Sequence, residues 1–305
     1  MNSSPTITSA ALASLAFFML PACDLQKIGN QAAAKTVAVS TLLTTPAIVV
    51  KGNAVASNGF DAGLAGLDAG GLVFDGGVTF DDAGITIPAQ NLAFVFFGQR
   101  AGESPDSPPV GTAGATATLK QVGGASFVLD DQGSGSYALS PDAGFVYQPG
   151  ATYQFEFKLA AQTFLAEVEN VPSKENISEF HPAAGYVELE AGTGFSFLRP
   201  DPPQGLNRNL GFVNVFAVNS QGTTGQPTYT NIPTSAVGFI KLLLAPTDWT
   251  LTKVEIPGSA FPDRDTNYVV VLQSAKLGGP KSDNLFSGSP ILAGTADVAI
   301  IKTRR

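Results

Sequence analysis

Apolar and polar positions alternate with period two along much of this chain, the spacing of a strand with one buried face. The clearest case lies in residues 151–171. Tyr153, Phe155, Phe157 and Leu159 alternate there with Gln154, Glu156 and Lys158, and after Ala160-Ala161-Gln162 the alternation resumes with Phe164, Ala166 and Val168 against Leu165, Glu167 and Glu169. The interval is also the longest without Gly or Pro, where a helix would find room, but its period predicts an antiparallel hairpin with one wet face. Residues 36–44 and 47–57, split by Pro46, read as further strands, and 92–97 (LAFVFF) is apolar enough for a strand covered on both faces.

Val171-Pro172 and the polar run 173–179 mark the predicted domain boundary. Strand candidates follow at 186–190, 195–198, 211–218, 237–244, 249–256, 268–272 and 296–302, with turns between them at fairly regular intervals. Within 249–256 the apolar parity shifts: Trp249 and Leu251 share one face, Val254 and Ile256 the other, which predicts a bulge near Thr252. The expected fold is all-β, with two tandem immunoglobulin-like antiparallel β-sandwiches, at 36–175 and 180–305, after an N-terminal signal and anchor segment. A faint internal echo links Ile87-Pro88, Val171-Pro172 and Ile256-Pro257; the last two are followed by Phe180-His181-Pro182 and Phe261-Pro262. Duplication and chance explain it about equally well.

Residues 59–84 break the pattern. Asp61, Asp68, Asp75 and Asp82 recur every seven residues among glycines and small side chains. Short Gly/Asp periods can form calcium-binding solenoids. The paired glycines of such repeats are missing before each Asp, and tight turns or a low-complexity connector fit the stretch better.

Composition sharpens this reading. With 33 Gly and 21 Pro long helices are disfavoured, and 44% hydrophobic against 14% charged residues argues for a packed chain. Phenylalanine, at 21, far outnumbers the single Trp249. Seventeen Lys and Arg against 25 Asp and Glu give a net charge of −8 with no basic cluster, a poor match to nucleic acid, where phosphate neutralisation carries most of the affinity.

The N-terminus supplies the most specific signal. The apolar run 10–20 is too short to span a bilayer, which takes about 20 residues, and has the length of a signal-peptide core. It ends in Leu20-Pro21-Ala22-Cys23, and Cys23 is the sole cysteine of the chain. This resembles the lipobox of bacterial lipoproteins. The resemblance implies cleavage between Ala22 and Cys23, a diacylglyceryl group on the Cys23 sulfur and acylation of the new amino terminus. Residues 1–22 are then the signal peptide and 23–35 a polar, alanine-rich tether or short helix. Two features depart from the pattern: residues 1–9 hold no Lys or Arg, and Pro21 is an unusual lipobox residue. The alternative is a Cys23 that acts as an ordinary small hydrophobe in an N-terminal helix. Asp24 resembles the inner-membrane retention signal of enteric bacteria, while the outer membrane is otherwise the favoured location.

A second resemblance covers residues 108–158. The order Ala113-Gly114-Ala115-Thr116-Ala117-Thr118-Leu119, then Gly133-Ser134-Gly135-Ser136-Tyr137, then Pro149-Gly150-Ala151-Thr152-Tyr153 is similar to the carboxypeptidase regulatory-like, or transthyretin-like, β-sandwich module. Its motifs are common turn-and-strand signals. Members of that family are structural or binding appendages without catalytic residues, so the resemblance implies no active site.

Little else carries chemistry. His181 is the sole histidine, and no Gly-x-Ser-x-Gly elbow accompanies it. Asp263, Asp265 and Asn267 match the opening of a calcium loop, but Tyr268 stands where its turn glycine belongs and Ser274 where its closing Glu belongs. A solvated turn is the simpler reading of those three, as of Asp130-Asp131. No cofactor is implied. The sequence therefore predicts a lipid-anchored envelope protein with a non-catalytic binding, adhesion or structural role. Its partners are the membrane, through the anchor, and an envelope protein or polysaccharide. The alternatives are a subunit of a trans-envelope assembly and a secreted hydrolase of unrecognised type.

Overall fold

The computed structural model describes residues 25–45, 48–51, 79–81, 84–87, 89–100, 109–140, 142–218, 226–233, 241–242 and 245–304. An α-helix, α1 (Leu25–Ala33), opens them. The first half of the chain forms β1 (Thr36–Thr45), β2 (Ile48–Lys51), β3 (Thr79–Asp81), β4 (Gly84–Ile87), β5 (Gln90–Gln99) and β6 (Val110–Gly111). β7 (Thr116–Gln121), β8 (Ser126–Gly133), β9 (Ser136–Ala138), β10 (Tyr153–Leu159) and β11 (Gln162–Val168) follow. The second half holds β12 (Val187–Glu190), β13 (Phe195–Leu198), β14 (Leu210–Val218), β15 (Tyr229–Thr230), β16 (Lys253–Ile256), β17 (Asn267–Pro280) and β18 (Ile291–Arg304). The fold is all-β and sandwich-like. Most of the Gly/Asp stretch lies outside the described residues, as does the greater part of the 47–57 strand candidate.

The hairpin read from the period-two pattern is present. β10 and β11 pair from Tyr153–Val168 to Leu159–Gln162, and Tyr153, Phe155, Phe157, Phe164, Ala166 and Val168 are buried while the residues between them face outward. Phe157 stacks on Phe97 of β5, ring centroids 4.9 Å apart. The order β18-β1-β5-β9-β8-β7-β10-β11-β17 is hydrogen-bonded throughout, and β17 pairs with β18, so these nine strands close into a ring. Apolar side chains from β1, β5, β7, β8, β9, β10, β11 and β18 fill its interior. β1 runs parallel to β18, with Ser40 opposite Ile291; most other pairings are antiparallel.

Closure depends on a glycine. At the seam β11 meets β17 through Ala166–Pro280 and Glu167–Gly279, and a Cβ on Gly278 would lie 2.1 Å from the Glu167 carbonyl oxygen. Only a residue without a side chain permits that approach.

β17 and β18 are 14 residues long, about 46 Å at the usual rise, and run from the ring into a second unit. There β12, β18, β17, β14 and β15 lie side by side, with the β13–β16 pair across one face. Phe195, Phe197 and Ile256 of that pair, with Ile177, Phe180 and Phe261, pack on Val213, Val215, Tyr268, Val270, Leu272, Ala299 and Ile301. The two larger described apolar cores thus part near residues 171–177, a smaller third one gathers Leu210, Phe212, Leu242, Trp249 and Ala275, and the hydrogen-bonded sheet runs through both larger ones.

Several elements differ from the sequence-based expectation. Of the strand candidate 237–244 only Lys241 and Leu242 are described, and they are helical, with the Ala245 amide donating to the Lys241 carbonyl at 2.8 Å. The run Val237-Gly238-Phe239-Ile240-Lys241-Leu242-Leu243-Leu244 has no alternation to hold it in a sheet. Trp249 lies in a 3-10 turn (Pro246–Trp249) and β16 starts only at Lys253. The parity shift thus marks the end of a turn; Pro246 pre-sets that turn, and no bulge at Thr252 is needed. β17 and β18 outrun their candidates in both directions. Of the two forms expected for residues 23–35, tether or short helix, residues 25–33 take the helix, α1, and its buried Gln31 donates to the carbonyls of Pro280 and Ser282 at 3.3 and 3.2 Å, holding the helix on the body.

The proline echo has a local counterpart. Ser178–Phe180 and Gly258–Ala260 are both single 3-10 turns, ended by His181 (φ −121°, ψ 53°) and Phe261 (φ −126°, ψ 58°). Each of these precedes a proline, which keeps it out of the helical region and stops the turn.

Candidate functional site

Residues 171–181 join the two cores, and they are docked along their length. Val171, Pro172 and Ile177 are buried, and the Tyr147 hydroxyl donates to the Pro172 carbonyl at 2.8 Å. Burial pushes that hydroxyl well above its ordinary pKa, so it stays protonated as a donor. Phe180 closes the segment, edge-on to Phe197 at 4.7 Å. Between these apolar fixings the segment sends Lys174, Glu175 and His181 onto the sheet.

Glu175 meets Arg199, which directly follows β13 and precedes Pro200. Arg199 Nε donates to one carboxylate oxygen at 2.8 Å and Nη2 to the other at 2.6 Å, a two-pronged pairing that suits guanidinium geometry. Nη1 donates to the Trp249 carbonyl at 3.1 Å and Nη2 also to the Asn209 carbonyl at 2.8 Å. The Ser274 hydroxyl of β17 donates to Glu175 at 2.7 Å. The arginine side chain has 0% exposure. A buried ion pair is tolerable when its donors and acceptors are filled this fully, since desolvation of each charge costs several kcal/mol, about as much as the pair regains.

Asp297 forms the second fixing. It is the one charged residue between Ile291 and Ile301 of β18, and its side chain is 2% exposed. It accepts from the Ile177 amide at 2.8 Å, from Lys174 Nζ at 3.0 Å and from the Val298 amide at 3.0 Å. His181 Nε2 lies 2.8 Å from Oδ1, within hydrogen-bond distance. The imidazole is half exposed, at 47%. On the same segment the Ser178 hydroxyl and the Leu198 amide, donating to Glu179, hold its carboxyl below the usual value.

Beside this clasp lies a groove of about 1100 Å³ between the segment and the loop 200–209. Ala275, Leu277 and Leu210 contribute apolar surface, and Pro172, Pro200, Pro202 and Pro203 add rigid backbone. Asn170, Asn207 and Lys276 line it with polar groups, and Leu206 stands 64% exposed on its wall. Rigid walls, apolar surface and amide groups can hold an extended chain, whether peptide or glycan, by shape and hydrogen bonds.

The other sequence candidates behave differently. Ala22 and Cys23 lie outside the described residues. Asp263, Asp265 and Asn267 form a turn into β17: the Asp263 amide donates to the Tyr268 hydroxyl at 2.9 Å, Asp265 takes a left-handed φ of 50°, and Asn267 is buried at the strand's start. Asp131 caps its own hairpin by accepting from the Gly133 amide at 2.7 Å. Among the described residues no three His, Cys, Asp or Glu side chains gather as a metal site, and no helix is long and apolar enough to cross a membrane. Sequence reasoning singled out His181 but missed Lys174, Glu175, Arg199 and Asp297. Asp297 had a visible signal, a lone acid in an apolar strand.

The chain matches no protein-family model, and no curated protein matches it significantly.

Proposed function

We propose that this is a lipid-anchored protein of the bacterial cell envelope that binds or braces another envelope component without catalysing a reaction. One observation carries the reading: the apolar run 10–20 ending in Leu20-Pro21-Ala22-Cys23, with the thiol used nowhere else. Two or more acyl chains attach a protein stably, where one gives marginal binding. The two cores are read as sandwich units in tandem that share β17 and β18, the first containing the segment that resembles a regulatory-like binding module. The outer membrane is the favoured site, with the inner membrane open because of Asp24.

One feature supports a binding role over hydrolysis: the buried charges at the junction are already engaged with one another, which suits a clasp that fixes the groove's shape. The groove accepts an envelope protein or a polysaccharide strand.

The test is capture from detergent-solubilised envelopes with the native protein as bait, alongside a Cys23→Ser variant. Recovery of a defined protein or glycan, with Cys23→Ser soluble and folded, agrees with the proposal. Sedimentation of Cys23→Ser with the membrane fraction, or turnover of a glycan or ester by the purified protein, contradicts it.

A further inference from the structure

We infer that the outer face of β1 and β5 rests on the lipid surface to which Cys23 is attached. The inference depends on the anchor reading above and goes beyond it by naming the face of the body that meets the bilayer. Side chains on these two strands alternate between the ring interior and the outside. On the outside Val39 lies opposite Phe96, and Phe94 lies one step along, opposite Thr41 and Ala138. Val39 is 41% and Phe94 42% exposed, and Phe96 and Leu92 are part-exposed beside them. Val110, Val122 and Val128 elsewhere on the ring are more exposed, at 62%, 54% and 67%, but they are single valines on separate strands and turns, whereas these four large apolar side chains adjoin one another and mark an interaction surface. The hairpin of β10 and β11, by contrast, turns Gln154, Glu156 and Lys158 outward.

The chain's own entry point indicates lipid as the occupant. The carbonyls of Pro280 and Ser282 hold α1 on the body at Gln31, so the tether is short. From Gln31 back to Leu25 the helix rises about 9 Å. Two further residues to Cys23 add about 7 Å when extended. An acylated sulfur is thus kept within about 16 Å of Gln31, and the body cannot stand away from the membrane. β1 begins at Thr36, just past α1, and Val39 lies about 10 Å along it. The apolar face thus starts close to the C-terminal end of α1, the short helix whose other end carries the anchor. Exposed Lys35, between α1 and β1, suits anionic headgroups, while exposed Asp130, opposite Ala138, bounds the patch on its far side. Phenylalanine and leucine are side chains that interfacial segments bury at the boundary of headgroups and acyl chains.

The test uses the native acylated chain carrying Phe94→Cys, reconstituted in phosphatidylethanolamine–phosphatidylglycerol vesicles and labelled with a thiol-reactive, polarity-sensitive dye. A matched variant, Leu251→Cys, places the dye at a 52% exposed position of the second unit. The expected result is one dye per chain and a blue shift with quenching by lipid-borne quenchers at position 94, but neither at 251. Two dyes per chain mean that Cys23 is free; the anchor then fails and the proposal falls with it. One dye per chain with equal emission at both positions overturns the surface while leaving the anchor intact. A blue shift at 94 that appears without vesicles and grows with protein concentration identifies a second copy as the occupant and overturns the lipid assignment.

Discussion

Arg199 and Glu175 stand 24 residues apart in the chain and meet in a two-pronged ion pair, from which the whole arginine side chain is shut off from solvent. The pair ties the segment between the two cores to the start of the groove loop. The groove's geometry therefore depends on a contact that neither residue's local sequence reveals.

Removing one partner leaves the other charged and buried. Arg199→Met is expected to lower stability by about 3–5 kcal/mol, read as a drop in the urea midpoint at constant slope. Arg199→Met combined with Glu175→Leu should recover most of that loss, because two apolar side chains then replace the pair. A double variant as unstable as the sum of the single ones would show that the pair is not the coupling element.

Acid should weaken the first unit through Glu156. Lys120 Nζ donates to it at 2.6 Å and Lys158 lies at 3.0 Å, and these bonds hold its carboxyl below the usual 4.5. A depressed carboxylate contributes stability above its unfolded pKa and loses it as pH falls through the lower folded value. Stability should therefore fall progressively below about pH 4.5, and Glu156→Gln should flatten this acid limb while leaving it unchanged in shape elsewhere. An acid limb identical in the wild type and Glu156→Gln would remove Glu156 from the account.

The ring seam offers a matched pair. A Cβ at Gly278 would collide with the Glu167 carbonyl, whereas one at Gly279 meets nothing within 4 Å. Gly278→Ala is expected to cost about 1–3 kcal/mol by forcing β11 from β17, and Gly279→Ala to change stability by less than about 1 kcal/mol. Thermal unfolding of the two variants side by side decides it; equal midpoints would mean that the ring is not closed there.

If the groove takes the envelope partner, Leu206→Glu on its wall should abolish capture from solubilised envelopes without moving the melting temperature, since Leu206 is mostly exposed. Undiminished capture would place the partner elsewhere on the surface.

The hairpin from Tyr153 to Val168 could be read residue by residue because its partner strand is adjacent and its period unbroken. β17 was recognised only at 268–272, because Lys276, Gly278, Gly279 and Pro280 look like a turn locally; its continuation is held by pairing with β18 and by close approach to β11. The parallel pairing of Ser40 with Ile291 has no local signature, since loop closure over such a separation leaves no trace in either strand. For the same reason the clasp escaped notice. His181 stands out as the lone histidine, whereas nothing in the local sequence sets Arg199 or Glu175 apart from the other charged residues.

The N-terminal tryptic peptide of the membrane-extracted protein tests the central claim most directly. Lys27 is the first basic residue, so cleavage there releases Cys23–Lys27 from a processed chain and Met1–Lys27 from an unprocessed one. The account predicts a peptide that begins at Cys23 and carries the mass of a diacylglyceryl group and an amide-linked acyl chain. A peptide that begins at Met1, or one in which Cys23 has a free thiol, would contradict it.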